Sequence, residues 1–255
     1  MNAIGVSCPD FGKTPFPEAL GEISKEFRHW EIFSELEHYV PLVSLEHSDL
    51  VRGSDLTFSV HTGIADINVA SNNERLREAA VANIVAEMKA ANDLDIDTVT
   101  VHPGIINLAV KGVRDRSIAQ ARISMKEIEH YSAEYGLYTC IENMPNFPVM
   151  LGIQADELNE IIDGTDLSVC FDIGHANTSG QIDRMVELFG DRIRNIHIHD
   201  NLGEKDDHLT IGDGRVDFGY VLGLLRNYRG RYIIEARSLE SAIESQARLR
   251  KLLGQ

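Results

Sequence analysis

Several features that mark whole classes of protein are scarce here. Only three cysteines occur in 255 residues, Cys8, Cys140 and Cys170, and no two form a CxxC pair. A disulfide-stapled scaffold is excluded and reduced thiols are expected. Basic residues are in deficit: 24 Lys and Arg against 40 Asp and Glu leave a formal charge of −16. That balance disfavours phosphate backbones and anionic lipid as partners, because both need clustered cations. No apolar run approaches the ~18 residues of a membrane span. The N-terminal MNAIGVSCPDFG lacks the basic and long apolar regions of a signal peptide. A cytoplasmic protein with no membrane contact is the expectation. A Gly-rich phosphate loop is missing too, since the first apolar run leads into SCPDFGKTP rather than GxGxxG.

What is present is a regular alternation. Apolar runs suited to strands are Ala3 to Val6, Trp30 to Phe33, Thr57 to Val60, Asp97 to Val101, Leu137 to Ile141, Leu167 to Phe171, Ile193 to Ile198 and Arg231 to Ile234. Between them lie segments with helical spacing: 15–27, 36–45, 73–91, 116–135, 155–162, 181–189, 218–228 and 239–253. Eight strand–helix units of about 32 residues predict right-handed crossovers, a parallel sheet and closure into a (β/α)8 TIM barrel. With no linker or composition shift, residues 1–255 are expected to form one α/β domain.

The chemistry lies in what ends each strand. Strand three ends at His61, strand four at His102, strand five at Glu142, strand six at Asp172 with His175 three residues on, strand seven near His197, and strand eight at Glu235. Asp206 and His208 follow in the KDDH loop. In a parallel barrel these ends share one rim, where barrel active sites are built. Each residue alone has a plainer role. An Asp after a strand is often a helix N-cap, which applies to Asp172. His29, His38, His47 and His130 read as hydrogen-bonded or surface histidines. His199 is expected to face away from the site, with His197 facing in. Six consecutive strand ends carrying cation-binding groups are not explained by caps and packing. Crowded carboxylates repel one another unless a cation compensates them. Mixed imidazole and carboxylate donors suit Zn²⁺, Mn²⁺, Fe²⁺ or Co²⁺ better than Ca²⁺, and nine candidates are enough for two or three ions. Arg215, Lys205 and Arg237 are cations near the expected rim, with Arg215 the candidate substrate-binding group. Trp30, Phe33 and Phe147 are candidate apolar walls.

These residues resemble the xylose isomerase-like TIM-barrel superfamily, also called AP endonuclease family 2. The resemblance runs from Asn2 to Leu253 and rests on VHPG (101–104), IEN (141–143), FDIGHAN (171–177), HIHD (197–200), the DDH…GDG loop (206–214) and IIE (233–235). Among its sugar isomerases and epimerases it implies one Mn²⁺, Co²⁺ or Mg²⁺ ion on Glu142, Asp172, His197 and Glu235. Glu142 and Glu235 would then serve as acid and base, His175 would orient the substrate, and proton transfer would pass through a metal-stabilised enediolate. Similarity to endonuclease IV implies instead three zincs on His61, His102, Glu142, Asp172, His175, His197, Asp206, His208 and Glu235, with cleavage at abasic DNA sites. The net charge and the acidic loop SELEHYV (34–40) weigh against DNA. The leading expectation is therefore a metal-dependent isomerase or epimerase of a small sugar, sugar phosphate or related hydroxy-carbonyl compound. A homodimer is left open.

Overall fold

A computed structural model describes residues 3–255 of the chain, so Asn2, where the resemblance begins, lies outside the described residues. Eight strands close into a barrel in sequence order: β1 (Ala3–Ser7), β2 (His29–Phe33), β3 (Thr57–His61), β4 (Thr98–Val101), β5 (Tyr138–Glu142), β6 (Ser168–Asp172), β7 (Ile193–Ile198) and β8 (Arg231–Glu235). Every neighbouring pair is parallel, and β8 closes on β1 with Ser7 beside Glu235. The α-helices are α1 (Phe16–Glu26), α2 (Val40–Gly53), α3 (Glu74–Asp93), α4 (Arg114–Tyr135), α5 (Ala155–Ile162), α6 (Ile173–Ser179), α7 (Ile182–Phe189), α8 (Phe218–Leu224) and α9 (Leu239–Leu252). The expected single (β/α)8 TIM barrel is what the chain forms. Among the described residues, no helix is long and apolar enough to cross a membrane.

Alternation along each strand divides the residues between two environments. One set faces the helices and is apolar: Trp30 and Ile32, Val99 and Val101, Val169 and Phe171, Ile196 and Ile198 are all buried there. Trp30 stacks on Phe16 of α1 at 5.1 Å between ring centroids, so it is a core residue and not a wall of the site. The other set faces the barrel axis and is polar. Glu31, Ser59, Thr100, Asn195 and His197 meet there in one hydrogen-bonded cluster. Barrel interiors are ordinarily filled by bulky branched side chains, so this polar filling calls for a local reason, found below.

Two helical segments differ from expectation. The segment placed at 36–45 is a 3-10 turn (Leu36–His38) followed by α2, which runs on to Gly53. The short helix α6 was not anticipated, because FDIGHAN has too few residues to display helical spacing. In α3, Leu76 is 62% exposed while Arg77 is buried, held by Glu74 and Glu127 at 2.7 and 3.0 Å. All three cysteines are free and buried.

Candidate metal centre

Strand ends and one loop bring the donors together. His61, Glu142, Asp172 and Glu235 are the last residues of their strands, and His102 directly follows β4. Glu142 is the hub. Its Oε2 lies 3.2 Å from His61 Nε2 and 3.0 Å from His102 Nε2. Its Oε1 lies 3.1 Å from His197 Nδ1 and 3.5 Å from His175 Nδ1. His197 Nδ1 also reaches Glu235 Oε1 at 3.0 Å and Asp172 Oδ2 at 4.0 Å. Beside this group stands another, centred on Asp206. His175 Nε2 is 3.4 Å and His208 Nε2 2.9 Å from its Oδ2, and His199 Nε2 is 3.2 Å from its Oδ1. His208 Nδ1 links back to Glu235 Oε2 at 3.7 Å.

The nine residues read as donors from the sequence thus converge, and His199 joins them. The expectation that His199 faces away is corrected. Residues two apart in a strand share a face, so His197 and His199 point to the same side. His199 Nε2 lies 3.4 Å from Asp172 Oδ1. Gly174 makes room for it, since a Cβ there would collide with the ring. Asp172 is the N-cap that the plainer role expects. One oxygen caps α6 by accepting from the His175 backbone N–H at 2.5 Å; the other is turned toward His197.

Electrostatics follow from burial and opposite charge. Burial pushes the Glu142 carboxyl up, but His197, His102 and His61 together hold it well below its usual range. Burial opposes a charged His199, yet Asp172 and Asp206 raise it to about 8. The Asp206 carboxyl resists its burial in the same way and is driven down by His175 and His208. A carbonyl contact sets the His175 tautomer: Nδ1 donates to the Asn143 carbonyl at 2.8 Å, leaving Nε2 toward the pocket.

The donor set fits a divalent ion. Three groupings bring their ligand atoms within 4.8 Å of one another: Glu142, Asp172, His175 and Glu235; His61, Glu142, His197 and Glu235; and His175, His199, His208 and Glu235. Asp172 Oδ2, His199 Nε2 and Asp206 Oδ1 are buried with no hydrogen-bond partner among the described residues. Such orphans are costly unless something else satisfies them. Imidazole with carboxylate suits a first-row transition ion.

Above the donors is a cavity of about 160 Å³. Pro9, Phe33, Ile64, Met144, Pro145 and Met150 supply its apolar walls, and no Lys or Arg lines it among the described residues. Phe33 stacks on His61 at 4.5 Å. Phe147 is 61% exposed and is not part of the lining. Arg215 is not brought to the cavity either: it is exposed, and its backbone N–H donates to the Asn201 carbonyl at 2.8 Å. Lys205 is exposed as well. Arg237 stands nearer, with Nη2 donating to the Asp206 carbonyl at 3.3 Å.

Two supports of the site were not read from the sequence. Asp200 accepts from the backbone N–H groups of Asn201, Gly212, Gly214 and Val216 at 2.8, 2.8, 2.9 and 3.1 Å. It thereby ties down the loop that carries Asp206 and His208. A Cβ on Gly214 would collide with its Oδ1, so the second glycine of GDG lets the carboxylate in. The spacing of HIHD and GDG was the available signal. The other support is a buried carboxylate, Glu87 of α3, which accepts from the Gly63 N–H at 3.0 Å just beyond His61.

Burial pushes the Glu87 carboxyl up to about 7, against the pull of the Gly63 N–H, Ser34 and His61. Folded Glu87 therefore holds its proton more tightly than the unfolded chain does. Its contribution to stability is complete below its ordinary value of 4.5 and disappears as the pH rises through about 7. The amount is on the order of 3 kcal/mol. Glu87→Gln is expected to stabilise the protein relative to the parent more at about pH 8 than at about pH 5. Thermal melts at both pH values check this, and an equal difference at the two would refute it.

Comparison with known proteins places this architecture. The sequence pattern described as xylose isomerase-like TIM barrel matches residues 26–252. The chain belongs to that family. Within the xylose isomerase-like barrels, it is similar to the crystal structure of a D-tagatose 3-epimerase-like protein. The TM-score is 0.91 and the identity 32%, covering 99% of this chain and 97% of that one. An uncharacterised protein of Methanocaldococcus jannaschii is 34% identical over 98% of this chain and 88% of its own length. A protein of Acholeplasma laidlawii named "Probable endonuclease 4" is 27% identical over 68% of this chain and 64% of its own. A D-psicose 3-epimerase shares the fold at a TM-score of 0.82 and 17% identity. Sugar epimerases thus stand among the structural neighbours of this xylose isomerase-like barrel, and endonuclease 4 proteins among its sequence relatives.

Proposed function

We propose that this protein is a divalent-metal-dependent isomerase or epimerase of a small sugar or related hydroxy-carbonyl compound. One observation carries the reading. Glu142 and Glu235 face one another across His197 at the floor of a small, apolar-walled cavity that holds no basic side chain among the described residues. Glu142, Asp172, His197 and Glu235 would hold the ion, with His199 and His175 beside them. A divalent ion bound there would supply Lewis-acid polarisation of a substrate's carbonyl and hydroxyl oxygens, making the hydrogen on the carbon that bears the hydroxyl more acidic. Glu142 and Glu235 are set to take a proton from that carbon and return one. His175, anchored through Nδ1 to the Asn143 carbonyl, presents Nε2 as a hydrogen-bonding group for a substrate hydroxyl. Phe33, Ile64, Met144 and Met150 keep bulk water from the reacting carbon. The missing cation in the lining favours an unphosphorylated substrate over a sugar phosphate.

A second reading, a zinc phosphodiesterase acting at abasic DNA, is favoured by one feature. The grouping around His175, His199 and His208 provides donors beyond the needs of a single ion. The endonuclease 4 likeness points the same way. Against it stand the net charge of −16 and the narrow cavity.

Both readings are tested together. Protein loaded with Mn²⁺, Co²⁺ or Zn²⁺ is incubated in D₂O with a panel of ketopentoses and ketohexoses and followed by proton NMR. A nicking assay on an abasic duplex runs in parallel. Loss of signal from a carbon-bound proton beside the carbonyl, with growth of an epimer or isomer and abolition by EDTA, is the expected outcome. Nicking without exchange across the panel would replace the first reading by the second.

A further inference from the structure

A buried carboxylate that the proposed chemistry does not use sits beneath the donors. Glu31 lies in the middle of β2 and is fully buried on the barrel axis. No Lys or Arg forms an ion pair with it among the described residues. Its Oε2 accepts from Ser59 Oγ at 2.7 Å and Asn195 Nδ2 at 2.8 Å. Its Oε1 lies 2.6 Å from His197 Nε2. Burying an anion here is expensive, and an apolar residue would fill a barrel layer more simply. The position therefore asks what the charge does.

An ionised carboxylate only accepts hydrogen bonds, so His197 Nε2 must carry the hydrogen in this contact. Asn195 Nδ2 also lies 3.3 Å from His197 Nε2, the longest of its three contacts. It spends its two amide hydrogens on Glu31 Oε2 and on Thr100 Oγ1 at 3.1 Å. With Nε2–H committed to Glu31, the other ring nitrogen, Nδ1, is the one aimed at the donors. It faces three carboxylates at once: Glu235 at 3.0 Å, Glu142 at 3.1 Å and Asp172 at 4.0 Å.

We propose that Glu31 is a positioning residue of the metal centre, which locks the Nε2–H of His197 and so selects Nδ1 as the nitrogen that binds the ion. A ligand histidine commonly gives its second N–H to a carboxylate, which fixes the tautomer and ring angle and makes the ligating nitrogen more basic. Ser59 and Asn195 hold the carboxylate in turn, so the ring is set from beneath. This accounts for the polar filling of the barrel between β2, β3 and β7.

The inference rests on the metal reading above, and the test separates the two. The parent protein, labelled with ¹⁵N-histidine and loaded with Zn²⁺, is examined by two-bond ¹H–¹⁵N correlation. The expected spectrum shows His197 protonated on Nε2, with its Nδ1 shifted by the ion. Tight zinc binding with His197 protonated on Nδ1 would overturn this inference alone, whereas failure to bind any divalent ion would overturn the metal reading itself. Two variants extend the test. Glu31→Leu is expected to weaken Co²⁺ binding, measured by calorimetry, by about 10- to 100-fold and to alter the visible Co²⁺ spectrum. Glu31→Gln keeps an accepting oxygen, and a flip of the Asn195 amide would turn Oδ1, which has no hydrogen-bond partner among the described residues, toward the new amide hydrogen. It is expected to fall between the parent and the leucine variant in affinity while retaining the parent tautomer. A carboxylate that merely plugs the barrel would lower the melting temperature in both variants with Co²⁺ affinity and spectrum unchanged, and that result would overturn the proposal. Should the leucine variant not fold, Glu31→Gln with the labelled spectrum decides.

Discussion

Glu142→Gln is expected to cost the protein its metal affinity and its activity while leaving the barrel folded. Four imidazole nitrogens, from His61, His102, His175 and His197, stand within 3.5 Å of its two oxygens. Glutamine preserves the shape and removes the charge. It also offers an amide group that donates hydrogen bonds where the ion requires an acceptor. Loss of affinity should exceed about 100-fold, more than an outer support is worth. Turnover should fall on the order of 10³-fold, as expected when an acid–base group is removed. Metal content after dialysis, circular dichroism and the D₂O exchange assay measure the three effects. A variant that keeps its metal and most of its turnover would remove Glu142 from the centre of the mechanism.

Asp200→Ala is expected to disturb the architecture of the site strongly without touching a donor. The carboxylate is 1% exposed and satisfies four backbone N–H groups. Each donor left unsatisfied costs about 1–3 kcal/mol, and the four are not additive because the loop can open to water. A total loss of several kcal/mol would lower the melting temperature markedly. The residues after β7 should lose protection against hydrogen exchange while the strands keep theirs. Asp206 and His208 ride on that loop, and His208 is held at a backbone φ of 48°, a conformation disfavoured for a residue with a Cβ. Freed of its tether, the loop should release both donors. Metal stoichiometry would then drop if the grouping around His175, His199 and His208 binds an ion. Asp200→Asn, with one accepting oxygen left, should fall between parent and alanine variant. Unchanged exchange in the loop would show that the glycines, and not the carboxylate, set its path.

Side by side, the two substitutions separate chemistry from scaffolding. Glu142→Gln should abolish binding in a stable barrel, and Asp200→Ala should weaken the barrel's rim first and binding as a consequence. Melting curves with and without added Zn²⁺ distinguish them: stabilisation by the ion should vanish in the first and persist, reduced, in the second.

The barrel and its rim are legible in the residues alone. Strand and helix alternate with a period long enough to read, and the apolar runs stop at His61, His102, Glu142, Asp172 and Glu235 because each chain emerges there into the mouth. What remains depends on packing between distant segments. Arg215 is near Asp206 and His208 in sequence, yet its side chain turns outward, since a loop's path is set by contacts such as those of Asp200 and not by local spacing. His199 was misjudged by a parity that the strand itself corrects. Glu31 showed only as a charged residue inside an apolar run, HWEIF; its meaning depends on His197, 166 residues away in the chain. Long-range pairing of that kind is invisible to periodicity, because the barrel's closure brings such residues together along its axis and no local pattern records which strand lies opposite.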